Sequence, residues 1–127
     1  PVAQNTGEFA ELLETLPQLN LSMAMQFCCN SPELYREILR DYAESGRYDD
    51  LQSAFTDKRW EDYRISAHSL KSTSKTIGLD GLSERARASE IALKNGCTEF
   101  AVIVHEELMQ EYGEVLTKLK NYLDGSK

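Results

Sequence analysis

Apolar residues recur every three or four positions along most of the chain, the spacing of amphipathic helices. Alternating β-branched runs are absent, and no Asn-Gly or Asp-Gly turn joins two such runs, so the pattern predicts an all-α fold. Phe9, Leu12, Leu13 and Leu16 mark a short helix over Glu8–Leu16, stopped by Pro17. A second short helix is predicted over Leu21–Cys28. Ser31-Pro32-Glu33 then reads as an N-cap, a first-turn proline and a first-turn acid. The long helix it opens carries Leu34, Ile38, Tyr42 and Ala43 as its apolar stripe. Leu51 and Phe55 resume that stripe beyond a weak point at Gly46. Trp60, Tyr63, Ala67, Leu70, Ser74 and Ile77 line one side of the next helix, which ends near Gly78. Asp80 is expected to cap a helix whose Leu82, Ala86, Ser89 and Leu93 face inward, with Asn95-Gly96 as its stop. Thr98 is expected to cap the last helix, where Ala101, Val104, Leu108, Tyr112, Val115, Leu119 and Tyr122 repeat with near-heptad spacing up to Gly125. Striped helices joined by short connections predict an antiparallel four-helix bundle with one or two accessory N-terminal helices. Residues 1–19 are read as an extension with a short helix and residues 20–124 as the bundle.

Composition adds bounds to this picture. A chain of 127 residues with 41% hydrophobic and 28% charged residues has the makings of one globular domain. No apolar run approaches the roughly 20 residues that span a bilayer, so no direct membrane contact is expected. The formal charge of −7 argues against nucleic acid as a partner, because phosphate neutralisation needs a basic surface. The charge is uneven, however: residues 1–57 hold ten acids and three bases, whereas residues 58–75 hold five bases and two acids. Three cysteines, two of them adjacent at Cys28 and Cys29, do not make a disulfide framework or a metal motif. Buried thiols in a reducing cytoplasm are the simpler expectation.

The local charge reversal surrounds His68. On a helix, Arg64 lies one turn before it, Lys71 and Ser72 one turn after and Lys75 two turns after, on the side opposite the apolar stripe. Exposed imidazoles, with an ordinary pKa of about 6.5, are mostly neutral at physiological pH and keep one ring nitrogen free to attack phosphorus. Lys71 and Lys75 offer opposite charge to phosphoryl oxygens, and Ser69 and Ser72 are small enough for a partner's site to approach. A lone histidine on a helix is usually only a surface residue. His105, followed by Glu106 and Glu107 and without a cation within one turn, is read as such a structural histidine.

The segment AHSLKSTSKTIG, residues 67–78, closely resembles the signature of the histidine-containing phosphotransfer family: a histidine, a lysine three residues later and a glycine ten residues later. His68, Lys71 and Gly78 fill those places. The following LDGLSERARASEIALKNG, with Leu82, Glu90, Ala92 and Gly96, resembles the family's next helix, and PELYREILRDYAES from Pro32 its preceding long helix. The resemblance covers about Leu21 to Leu123 and departs at Ser72, where the family usually has glycine. It implies a bundle in which His68 accepts a phosphoryl group, Lys71 stabilises it, and Arg64, Ser72, Lys75 and Gly78 border the binding face. Ile65, Leu79 and Leu82 are further residues that would border it, with a core role equally open. The implied partners are response-regulator receiver domains, with a hybrid sensor histidine kinase as a further one. The receiver would supply the aspartyl phosphate and the magnesium ion, and the bundle, expected as a monomer, would hold no cofactor or metal of its own. It would act as a covalent carrier without autonomous kinase activity.

Alternatives come from other classes. A helical module that docks on receivers without being phosphorylated is the first, and retention of both His68 and Lys71 speaks against it. A metal or redox protein lacks Cys-x-x-Cys spacing, and a kinase lacks a Gly-rich nucleotide loop. The pairs Asp49-Asp50 and Glu106-Glu107 read as solvated faces, since adjacent helical residues diverge. A free-standing cytoplasmic shuttle and the cytoplasmic domain of a membrane-bound sensor kinase would share the same bundle.

Overall fold

Local punctuation decides where this chain turns. The computed structural model describes residues 7–125, and the elements in order are α1 (Ala10–Thr15), α2 (Leu21–Phe27), α3 (Pro32–Glu44), α4 (Arg47–Thr56), α5 (Trp60–Thr76), α6 (Asp80–Lys94) and α7 (Thr98–Gly125). Ser31 caps α3 as expected: its hydroxyl accepts the Leu34 N–H, and Pro32 occupies the first helical position. The weak point at Gly46 is a full break. Gly46 adopts φ 75°, a left-handed conformation that glycine takes at little cost, and the long predicted helix becomes α3 and α4.

Gly78 ends α5 with φ 97°, and there space matters as much as conformation. A Cβ at that position would lie 2.6 Å from the Asn20 carbonyl oxygen. Asn20 uses this approach to latch α2 onto the α5–α6 turn. Its N–H donates to the Gly78 carbonyl at 2.7 Å, its side-chain amide donates to Asp80, and its side-chain oxygen accepts the Met23 N–H. Asp80 is therefore the first residue of α6 and a partner of Asn20, not the cap that its sequence context suggested.

Cross-helix contacts set the topology. Tyr63 meets Ser89 while Lys71 meets Ser83, so α5 and α6 run antiparallel. Tyr35 with Ile77 and Tyr42 with Ser74 make α3 antiparallel to α5. Tyr48 on Tyr112 and Phe55 on His105 make α4 antiparallel to α7. The result is an antiparallel four-helix bundle in which α3 and α4 form one broken arm and α5, α6 and α7 the others, with α1 and α2 as accessory helices. One apolar core runs through it, from Leu12 of α1 and the flanking Phe9 and Leu16 to Leu119 and Leu123 of α7.

The predicted stripes hold on α5, where Tyr63, Ala67, Leu70, Ser74 and Ile77 are buried, and on α7. On α3 the stripe is displaced: Leu34 is exposed, and Tyr35, Leu39, Tyr42 and Ala43 face the core. Tyr35 can be buried because its hydroxyl donates to the Ile77 carbonyl at 2.8 Å, in the C-terminal turn of α5. Of the cysteines, Cys28 is buried, whereas Cys29 and Cys97 are exposed, which corrects the expectation of three buried thiols. No helix among the described residues is long and apolar enough to cross a membrane.

Candidate functional site

His68 sits at the middle of α5, on the side away from the buried stripe, with 59% of its side chain exposed. Of the residues predicted to share its face, Ser72 and Lys75 are exposed, and Arg64 and Lys71 are half-buried. Arg64 is paired with Glu61 one turn earlier. Lys75 makes no side-chain ion pair among the described residues, which leaves its charge available on this face. Gly78 is buried beneath Asn20, so its part is to end α5. Ile65 is exposed beside the site, whereas Leu79 and Leu82 belong to the core.

The residue that the sequence reading left without a role is Glu90, on α6. Its Oε2 lies 2.9 Å from Nδ1 of His68, and its Oε1 accepts from Nζ of Lys71 at 3.2 Å. One carboxylate thus bridges the imidazole and the ammonium, and its side chain is only 13% exposed. Burial by itself would raise the Glu90 carboxyl, but the hydrogen bonds from Lys71 and His68, together with their charges, outweigh it and hold the pKa below the ordinary value.

That ionisation fixes the chemistry of the imidazole. A carboxylate can only accept, so Nδ1 of His68 must carry the proton it shares with Glu90. In the neutral ring the lone pair then belongs to Nε2, which makes no hydrogen bond among the described residues. The site presents a nucleophilic nitrogen toward solvent, with a carboxylate behind the ring and a lysine alongside. This arrangement orients an attacking nitrogen in the way that base and orienter are paired at other covalent centres.

His105 is the internal contrast, and it is structural as expected. It is buried, its ring stacks on Phe55 with centroids 3.8 Å apart, and its Nδ1 lies 2.7 Å from the Tyr63 hydroxyl. Ser89 donates to that same hydroxyl at 3.0 Å, so the single Tyr63 proton is directed to His105. Burial lowers the His105 pKa to about 4 and pushes the Tyr63 phenol up to about 12, the latter opposed by the Ser89 hydrogen bond. The chain Ser89–Tyr63–His105 joins α6, α5 and α7 through the interior of the bundle.

A family model described as the Hpt domain matches residues 8–124, nearly the whole chain. Comparison with curated proteins gives no match, and neither does comparison with solved structures.

Proposed function

The chain belongs to the Hpt domain family, whose members perform histidine phosphotransfer in two-component phosphorelays, and on that premise we propose that His68 is the phosphoryl carrier. The observation that carries this reading is the Nδ1–Glu90 hydrogen bond with Nε2 left open to solvent. In the loading step the Nε2 lone pair attacks the phosphorus of an aspartyl phosphate on a receiver domain. The N–P bond forms as the acyl-phosphate P–O bond breaks, and the leaving electron pair returns the receiver's aspartate to carboxylate. The Nδ1 proton stays on the ring, held by Glu90. In the unloading step a carboxylate oxygen of a second receiver attacks, the N–P bond breaks and its pair returns to Nε2.

Each neighbour has a part in this exchange. Glu90 stabilises the positive charge that the ring gains on phosphorylation, and in doing so keeps the reaction in line with one nitrogen. Lys71, held on Glu90 in the unloaded state and one helical turn from His68, would turn its ammonium to the phosphoryl oxygens after transfer. Lys75 contributes positive charge toward the acidic pocket of a receiver, where the partner's magnesium ion would be held, and Arg64, paired with Glu61, borders the same face. Ser72 borders the approach path, with a side chain small enough to admit the partner's loop. The protein contributes the carrier nitrogen, and the receivers contribute the rest of the catalytic machinery. A cytoplasmic location is part of this reading, because it rests on receiver domains as partners.

The test is intact mass after incubation with a phosphorylated receiver or with phosphoramidate. One acid-labile phosphoryl adduct is expected in the wild type and in His105→Gln, and none in His68→Gln. A folded wild-type protein that binds receivers but gains no adduct from competent donors would establish the docking module instead.

A further inference from the structure

We propose that Ser83 and Ser89 are positioning residues that set the register of α6 on α5 and thereby select the Nδ1–H tautomer of His68. The inference rests on the carrier reading for its kinetic consequence, and on the geometry alone for its structural one.

Both serines are buried on the α5-facing side of α6, at 5% and 0% exposure. Alanine is the better helix former and has no polar group to desolvate, so a buried serine on a helix has to be offset by a hydrogen bond. Each of these has one, and each bond goes to α5. The Ser83 hydroxyl donates to the Lys71 carbonyl at 2.7 Å, in the interior of α5, where the same oxygen also serves the helical ladder. The Ser89 hydroxyl donates to the Tyr63 hydroxyl at 3.0 Å, which is itself tied to His105.

The placement of these two bonds is what connects them to the chemistry. On α5 their anchor points, Tyr63 and Lys71, lie on either side of His68. On α6, Ser89 directly precedes Glu90. Apolar contacts along the seam are non-directional and define axial position less sharply than hydrogen bonds do. A shift of one residue is about 1.5 Å along the helix, and a hydrogen bond of 2.9 Å survives displacements of only about 0.5 Å. Two directional bonds that bracket the site therefore hold Glu90 where Nδ1 of His68 can donate to it.

The experiment is 15N NMR of the histidine ring nitrogens in the unphosphorylated, full chain, paired with single-turnover loading from a phosphorylated receiver. Ser83→Ala, Ser89→Ala and the double variant are compared with Ser83→Thr, which keeps the hydroxyl, and circular dichroism checks that each is folded. Wild type and Ser83→Thr should show the Nδ1–H form of His68. The double alanine variant should drift toward the Nε2–H form that free histidine prefers, and load roughly tenfold more slowly, the loss expected for one hydrogen bond. Folded variants that keep the wild-type tautomer overturn the proposal, whether or not their loading slows. Because the tautomer is read without any phosphate, failure of the carrier reading would register separately, as a wild type that never loads.

Discussion

The two histidines occupy opposite electrical settings on two helices of the bundle. His68 is exposed, with an ionised carboxylate on Nδ1, whereas His105 is buried and accepts a hydrogen bond from the Tyr63 hydroxyl on its own Nδ1. They therefore hold opposite tautomers, His68 with its lone pair outward and His105 with its lone pair already used. The sequence separates the two by their neighbours, since cations flank only His68. It does not disclose Glu90 as a partner, because residues 22 apart meet only when the register of two helices is known. Removing this carboxylate should cost the site its orientation. Glu90→Ala is expected to slow loading roughly tenfold in single-turnover assays, and Glu90→Gln less, because the amide oxygen still accepts from Nδ1–H. Equal rates in wild type and Glu90→Ala would show that the carboxylate has no part in transfer.

At the level of elements, the helix boundaries that sequence reveals are those built from local chemistry. Ser31-Pro32 and Gly46 act within their own few residues, and they start and break helices where expected. The inward face of α3 is different, because Leu34 with Ile38 and Tyr35 with Leu39 are equally regular apolar pairs. The choice falls to a tertiary bond, from the Tyr35 hydroxyl to Ile77, and a buried tyrosine with no acceptor would lose that competition. The role of Asp80 is likewise decided by Asn20, 60 residues away. Gly78 unites both kinds of constraint, a positive φ and a backbone pressed against it. Gly78→Ala should destabilise the fold by about 2–4 kcal/mol, seen as a lower urea midpoint with an unchanged slope. A midpoint within error of wild type would mean that the α5–α6 turn relaxes freely.

For the molecule as a whole, burial of neutral His105 links stability to pH. Its folded pKa of about 4 lies below its ordinary value of 6.5, so between these limits the unfolded chain binds more protons and stability rises with pH. As pH falls from 6.5 to about 4, about 2–3 kcal/mol should be lost. Glu90, with its lowered pKa, adds its own loss only below the ordinary carboxylate range. Urea titrations across this window should slope in wild type and flatten in His105→Gln, and a parallel slope in the variant would assign the effect elsewhere. The overall charge of −7 matters for encounter, because much of the basic face is already matched, Arg64 by Glu61 and Lys71 by Glu90. Lys75→Glu should therefore slow receiver association several-fold at low salt, with the difference shrinking as salt is raised. A salt-independent deficit would point to lost contact area instead. The lone Nε2 on one exposed ring has a last consequence, for traffic through the relay. On the carrier reading, donor and acceptor would use the same berth, so they would take turns at it and the relay would pass one phosphoryl group at a time.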